Sequence, residues 1–596
     1  MRKLGRRGAV SKIRIVTRPW KLRPLDPRAV VEIVRRHGMA ESVAQVLVAR
    51  GHGAGESLTR HLDANLRELH EPSALPGVEA ATARIASAIE RGERILVHGD
   101  YDVDGVTGTV LLMRLFALVG ARASWHIPHR LSDGYSFGEH SVDRARESES
   151  TLVISVDNGT SAAETIAALR AIGVDTIVTD HHEPPLGALP DAVALVNPKL
   201  AGSRYPFREL CGAGVAFKLA WGVAQRVSGA RKVREDLRAF LTDAMAYVAI
   251  ATVCDVVPLV DENRVLARAG LRALEATTNP GLRALLASCE LSQRTLAAED
   301  VGFKLGPRLN AAGRLDSAAR AVELLICDDP SRARDLARQL DALNDERRRV
   351  EAELCAQAFA QAEEFADPDE HPFLVLAGER WHQGVVGIVA ARVAQRFHRP
   401  ALVIGLDGDR GRGSARSVAG FDLLEALHGG SEHFLRYGGH AQAAGCEIEA
   451  VRVDSARRAI CERARAMLAG RGRDVECLWI DGEVPLEHVD EPLMRQLDRL
   501  EPFGAKNEKP LLLSRDLRLA EPPRIVGADR THLVLKVRRG ERALKAVAFG
   551  MASRASELAM GQPLHLVHTP RWNVFNGSKT VELLVHDLCT GAVPAV

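Results

Sequence analysis

At 596 residues the chain is too long for one hydrophobic core, and about 100–200 residues per domain implies three to five. A hydrophobic content of 46% with 26% charged residues excludes a disordered or fibrous chain. The formal net charge of +2 is no nucleic-acid signature, so such a partner must be argued from where the arginines stand.

The first twenty residues carry Arg2, Lys3, Arg6, Arg7, Lys12, Arg14 and Arg18 without the apolar stretch of a secretory signal. They read as a solvated basic tail or as an arm for nucleic acid. No run of about 18 apolar residues follows, so no membrane span is expected. Nine scattered cysteines form no CxxC pair, which argues for a reducing compartment and against a disulfide framework or a structural zinc. The expected location is the cytoplasm.

Residues 27–70 read as short helices capping the first domain. From about 75 to 270, apolar runs alternate with amphipathic stretches. Ile95-Leu-Val97, Leu152-Val-Ile-Ser-Val156, Thr176-Ile-Val-Thr179 and Ala194-Leu-Val196 are short and rich in β-branched residues. The alternation predicts a parallel α/β sheet, whose sites lie beyond the carboxyl ends of its strands. Residues 331–365 contain no Gly or Pro and repeat Leu336, Leu340, Leu343, Val350, Leu354 and Phe359 on one helical face. That predicts one connecting helix of about 50 Å, or two helices broken near Asn344-Asp345. A smaller α/β unit follows from about 372 to 470, with a helix over His382–Phe397. Alternating segments from 475 onward predict a small barrel of the OB type.

The ends of the predicted strands carry the chemistry. His98, Asp102 and Asp104 follow Ile95-Leu-Val97 in the string HGDYDVDG, with Gly99 and Gly105 permitting a tight loop. Asp157 follows the second strand and Asp180-His181-His182 the third. Asp255 follows Tyr247-Val-Ala-Ile-Ala-Thr-Val253, read as another strand. An isolated Asp is often a helix cap, but acidic and imidazole groups at four successive strand ends can hold two metal ions. Oxygen and imidazole donors without thiolate suit Mn²⁺ or Mg²⁺. Two such ions polarise a phosphoryl oxygen and stabilise the attacking and leaving oxygens in line.

The strings HGDYDVDG, SVDNG and TDHH and the Asp255 segment resemble the four motifs of the DHH phosphoesterase superfamily. Over nearly its whole length the chain resembles the bacterial RecJ family of single-strand-specific 5′→3′ DNA exonucleases. Pro307-Arg-Leu-Asn-Ala-Ala-Gly-Arg314, the Asn344 helix and Glu501-Pro-Phe-Gly-Ala-Lys-Asn507 sharpen the likeness. It implies a DHH catalytic domain over 71–329 behind an N-terminal tail and cap (1–70), a connecting helix (330–367), a DHHA1 substrate-binding domain (368–470) and an OB-fold nucleic-acid-binding domain (471–596).

The same resemblance gives one metal to His98, Asp102 and Asp157, and the other to Asp104, Asp157, His181 and Asp255. Asp100, Asp180 and His182 become catalytic support, with His182 reaching the scissile phosphate. Gly413-Ser-Ala-Arg-Ser417 and Tyr437-Gly-Gly-His-Ala-Gln-Ala-Ala-Gly445 resemble DHHA1 strings. They make Ser414, Arg416, Gly439 and His440 substrate contacts, with Ser414 and Arg416 on a 5′-terminal phosphate and Arg130 and Arg314 assisting. Gly134-Tyr-Ser136 departs from the Gly-Tyr-Gly of the family.

In the barrel, Arg571, Trp572 and Phe575 either contact a strand or pack inside. The implied enzyme works as a monomer on single-stranded DNA with a 5′ end, beside a helicase and a single-strand-binding protein. The alternatives are a DHH phosphodiesterase of short oligonucleotides or cyclic dinucleotides, and a catalytically inactive DNA-binding relative.

Overall fold

The computed structural model describes residues 18–130, 133, 137–185, 187–469, 477–575 and 577–591. The basic tail up to residue 17, Gly134-Tyr-Ser136 and the Phe575 side chain lie outside the described residues. The chain divides into two compact units. One comprises Ala64 to residue 469 with Pro502–Asn507; the other comprises the described residues through Asp63, those from 477 to Glu501, and those from Glu508 onward.

The first unit begins with a five-stranded, all-parallel sheet. Its strands are β1 (Arg94–His98), β2 (Arg122–His126), β3 (Leu152–Val156), β4 (Asp175–Thr179) and β5 (Ala194–Val196), in spatial order β2-β1-β3-β4-β5. Every residue of β3 is buried, as expected of a strand covered on both faces. Helix α1 (Val103–Leu118) leaves β1, and α2 (Glu139–Glu147) follows β2. Helices α3 (Gly212–Val227) and α4 (Glu235–Cys254) complete one large core.

Helix α4 overturns one expectation. Tyr247–Val253 is not a strand but its last turns, and Asp255 caps its C-terminus. An apolar run rich in β-branched residues looks the same in a fully buried helix as in a strand, and only the 20-residue length separates them. Among the described residues α4 alone is long and apolar enough to cross a bilayer, and most of it is buried in this core.

Helix α5 (Pro330–Glu364) runs 35 residues without the break allowed at Asn344-Asp345. Asp329 caps it through Ser331 N, and Pro330 occupies the first turn, where its missing N–H costs nothing. Its first half gives Ala333, Leu336, Ala337 and Leu340 to the catalytic core, and its second half gives Leu354, Ala358 and Ala362 to the next one. At 1.5 Å per residue it spans about 52 Å.

Beyond it, β6 (Leu374–Glu379), α6 (Val386–Phe397), β7 (Ala401–Asp407), β8 (Arg410–Arg416), β9 (Phe434–Gly439) and β10 (Ala443–Glu449) form a mixed sheet of order β9-β10-β8-β7-β6. The Gly413–Arg416 string is therefore part of a strand rather than a glycine-rich loop. A Cβ on Gly413 would stand 2.8 Å from Cys446 Sγ and from Leu402 Cδ1, so this glycine serves packing.

The second unit holds a barrel. Strands β12 (Leu512–Leu519), β13 (Arg524–Val526), β14 (His532–Arg539), β15 (Arg542–Ala548), β16 (Leu564–Phe575) and β17 (Ser578–Thr590) follow the short β11 (Gly482–Glu483). The pairings β12–β16, β16–β17, β17–β15, β15–β14 and β14–β12 close a five-stranded ring of the OB type. The helices Pro27–His37, Glu41–Ala49 and Glu56–Asp63, expected as a cap on the catalytic domain, belong to this barrel unit. Trp20 is the anchor: it is 1% exposed among Ile480, Leu513 and Val567, and its indole N–H donates to Asp587 at 2.9 Å.

Inside the barrel, Ser514 Oγ lies 2.9 Å from His568 Nε2, and burial holds the imidazole pKa down to about 3. The unfolded chain, with an ordinary value near 6.5, binds that proton more readily. Stability from this group is therefore present above about pH 6.5 and lost as pH falls toward 3, at up to about 1.4 kcal/mol per unit. Between pH 6.5 and 5, amide-exchange protection of β14 and β16 should drop more in the parent than in His568→Gln.

Candidate active site

The cluster is assembled from strand ends and helix ends. Asp102 caps α1, its Oδ1 accepting from Asp104 N (2.9 Å) and Gly105 N (3.2 Å). Gly105 is required here, because a Cβ would lie 2.4 Å from Asp100 N. That capping turn swings Asp104 inward, where its two oxygens accept from Gly212 N and Ala213 N, each at 2.6 Å. These are the first amides of α3, and a helix N-terminus favours a negative group. Asp157, directly after β3, adopts a left-handed φ of 65° that carries its carboxylate over the sheet end. Asp180 accepts from Thr160 N, His181 N and His182 N at 2.7–3.1 Å, which fixes the turn after β4.

His181 is the meeting point. Its Nε2 lies 3.1 Å from Asp157 Oδ1 and 3.7 Å from both Asp104 Oδ2 and Asp255 Oδ2. Burial and the neighbouring His182 push its pKa down to about 3, leaving a neutral ring with a lone pair to donate. His182 goes the other way: its hydrogen bond to Asp180 (Nδ1 to Oδ1, 2.8 Å) raises it to about 9, so it is cationic at neutral pH. Its side chain is 60% exposed, open to a substrate. Asn197 Nδ2 donates to the His182 carbonyl at 2.9 Å and holds the turn from behind.

The carboxylates are crowded. Burial and Asp102 raise Asp100 and Asp104 to about 7, and burial with Asp104 and Asp102 raises Asp255 to about 8. Asp157 is raised well above the ordinary range by burial and all of these neighbours. Its Oδ1 is buried without a hydrogen-bond partner, despite the closeness of His181. A set of like charges with an orphaned oxygen at its centre is a site for cations. Two donor groups lie within 4.8 Å: Asp157 with His181 and His182, and Asp104 with His181 and Asp255. The nearby Cys211 and Cys254 are held far above the ordinary thiol range by burial, so neither offers a thiolate. The donor set thus fits hard divalent ions.

Two expected ligands stand apart from those groups. Asp102 spends one oxygen on its helix cap. His98 turns its Nε2 to Ser141 Oγ at 3.0 Å, with its ring against His126, Phe137 and His140.

A cationic group faces the cluster within the same unit. Arg314 donates to the Gly384 carbonyl at 3.2 Å, and burial together with Arg130, Arg347 and Arg416 holds it down to about 10. Arg130 lies over the Tyr101 ring, its guanidinium carbon 4.7 Å from the centroid. Arg416 donates to Ser414 Oγ at 3.1 Å; the two alternate along β8 and so share one face. His440 is held low by burial and by the charges of Arg416 and His182. Gly439, at φ 147°, lets the chain turn there: a Cβ would stand 2.4 Å from the Ala443 carbonyl. Arg347 is absent from the sequence-based set. It sits one turn beyond the buried Asn344 and donates to its Oδ1 at 2.6 Å, a spacing readable on a helix once Asn344 is singled out.

Residues 94–252 match the family model of the DHH family, N-terminal domain; 370–466 match the DHHA1 domain; 480–587 match the RecJ OB domain. The single-stranded-DNA-specific exonuclease RecJ of Bacillus subtilis (strain 168) is 34% identical over 570 residues, covering 95% of this chain and 70% of that relative. The chain belongs to the RecJ family. The relative from Escherichia coli (strain K12) is also 34% identical, covering 86% of this chain and 90% of its own length. The crystal structure of RecJ in complex with Mn²⁺ from Thermus thermophilus superposes with a TM-score of 0.81 at 30% identity, covering 96% of this chain and 80% of that one.

Within this RecJ-family site, Gly212 has the least freedom. A Cβ there would stand 2.6 Å from Asp157 Cβ, while its amide holds Asp104. Gly212→Ala is expected to cost about 1–3 kcal/mol of stability through overpacking and to weaken Mn²⁺ binding in calorimetry. Unchanged affinity would mean that the two aspartates do not share an ion.

Proposed function

We propose that this chain is a metal-dependent, single-strand-specific DNA exonuclease that releases nucleotides from a 5′ end by phosphodiester hydrolysis, in DNA repair and recombination. The observation that carries the reading is the crowded carboxylate cluster around His181, facing a set of arginines within the same unit. His98, Asp102 and Asp157 would hold one Mn²⁺ or Mg²⁺; Asp104, Asp157, His181 and Asp255 the other, with Asp157 shared. When bound, the ions lower the pKa of a coordinated water and offset the charge of the reacting phosphate.

The remaining work falls to the protein. Protonated His182, oriented by Asp180, donates a hydrogen bond to a phosphate oxygen at the scissile bond. Asp100, half-buried in the same cluster, holds the loop through Tyr101 N at 2.8 Å. Arg416 and Ser414, with Arg130, Arg314 and Arg347, grip the terminal phosphate, and Gly439 and His440 shape the turn beside it. A fixed distance from this grip to the cluster makes the cut exonucleolytic. Contacts to phosphate rather than bases predict strong salt dependence and little sequence preference.

For the barrel, Arg571 is paired with the buried Glu582 at 2.6 Å, and Trp572 is half-buried with its N–H on Asp498 at 3.1 Å. Phe549, 52% exposed and edge-on to His532, is the better stacking platform for a base. A cytoplasmic monomer working with a helicase and a single-strand-binding protein completes the reading.

The test is a Mn²⁺-dependent time course on single-stranded DNA of about 30 nucleotides labelled at either end, with duplex and dinucleotide controls. Loss of a 5′ label as mononucleotide is the expected product. Action on dinucleotides alone, or binding without turnover, would overturn the proposal.

A further inference from the structure

Beside the acidic cluster lies a second group of ligand-type side chains that the proposed reaction does not use as a set. His98 ends β1 and His126 ends β2, and the two are direct partners in the parallel register. Registered neighbours project to the same face of a sheet. His140, in the first turn of α2, covers that face with Ser141. The ring centroids are 5.1 Å apart for His98 and His126, 5.5 Å for His98 and His140, and 5.7 Å for His126 and His140. One nitrogen from each ring lies within 4.8 Å of the other two.

Two observations set this trio apart from a packed aromatic cluster. His98 is 0% exposed, and its Nδ1 is buried with no hydrogen-bond partner. His126 Nε2 is likewise buried without one. Leaving two polar ring atoms unpaired in the interior costs about 1–3 kcal/mol each unless a ligand takes them up. Ser141 Oγ, 3.0 Å from His98 Nε2 and 3.4 Å from His140 Nε2, occupies the Nε2 side of the His98 ring and fixes its orientation, so that Nδ1 is the nitrogen left without a partner.

We propose that His98, His126 and His140 form an imidazole site for a borderline-soft divalent ion of the zinc class, with water in the fourth position. An all-imidazole set favours such an ion over Mn²⁺ or Mg²⁺, which take oxygen. At a metal–nitrogen distance of about 2.0–2.1 Å, tetrahedral ligands stand about 3.4 Å apart. The rings therefore need close by little more than 1 Å, on two strand ends and one helix. Because His98 is also given to the first catalytic metal in the reading above, an ion in the trio keeps it from that role. Zinc bound here inhibits by withdrawing a ligand. The inhibitory consequence rests on the proposed function; the binding site does not.

The experiment uses the full chain, stripped with a chelator and equilibrated with Zn²⁺ in excess Mn²⁺, then freed of loose ions and measured for metal content. His126→Ala and His140→Ala are each expected to retain one zinc fewer per chain than the parent, with zinc affinity lowered at least about 100-fold in competition with a chromophoric chelator, and with Mn²⁺ retention unchanged. Zinc inhibition of Mn²⁺-dependent cleavage should be relieved in both. Equal zinc content in parent and variants overturns the site. X-ray absorption on the parent keeps the proposal falsifiable if the variants fail to fold: three imidazoles per zinc are expected, and an oxygen-dominated shell overturns it. Absence of any single-strand cleavage by the parent would sink the proposed function while leaving the zinc count intact.

Discussion

Asp157→Asn is expected to abolish nuclease activity and, at the same time, to raise the melting temperature of the metal-free protein. Asp157 is nearly fully buried among Asp100, Asp102, Asp104 and Asp255, and each of these opposes its charge. Without cations the carboxylate destabilises the fold, and the amide relieves that repulsion at almost constant volume. The left-handed backbone at φ 65° is one that Asn tolerates. A relief of about 1 kcal/mol shifts a domain of this size by roughly 2–4 °C. The activity loss should be on the order of 10³-fold or more, because a shared ligand supports both ions and one preorganised electrostatic group is typically worth 10²–10³.

Mn²⁺ reverses the order of stability. At 100 times its dissociation constant an ion adds about 2.7 kcal/mol to the state that binds it, so the parent should melt higher with Mn²⁺ while Asp157→Asn shifts little. Scanning calorimetry with and without a chelator reads both signs. A parent and variant that respond alike to Mn²⁺ would remove Asp157 from the metal site.

How much of the site is legible in the chain follows from the range of each signal. The loops after β1, β3 and β4 are legible because a short apolar run ends at a defined residue, and whatever follows it lies at the sheet's carboxyl edge. Asp255 is legible for a different reason than its surroundings justify, since a 20-residue buried helix presents the same composition as a strand. Ser414 and Arg416 stand out as part of a glycine-rich string, yet that string is a strand in which Gly413 is demanded by Cys446 and Leu402.

Contacts distant in sequence leave no local trace. Nothing near Asp104 shows that Gly212 and Ala213 will hold it, 108 and 109 residues away. Nothing in residues 27–63 shows that they will join a barrel built mostly from Glu508 onward, because amphipathic helices carry no address beyond an apolar face. The pairing of His98 with His126 depends on strand register, which periodicity alone does not set.

Arg416→Ala should separate recognition of the 5′ end from the chemistry. The guanidinium donates through Nη1 to Ser414 Oγ and to the Ala415 carbonyl (2.8 Å), which fixes the plane of a fork whose geometry matches a phosphate. Arg314 already shows the cost of the crowding: burial and the neighbouring Arg130, Arg347 and Arg416 lower its pKa to about 10, and an anion placed among these charges would offset their repulsion. A charge-assisted hydrogen bond contributes about 1.5–3 kcal/mol, which is roughly 10- to 150-fold in kcat/KM. On 5′-phosphorylated single strands Arg416→Ala should lose that factor; on 5′-hydroxyl strands it should lose little, and the preference between the two should collapse. Arg416→Lys should recover only part, since an ammonium keeps the charge but not the planar fork. Equal losses on both substrates would place Arg416 on internal phosphates, and the selection of a 5′ end would then have to reside in Arg130 and Arg347.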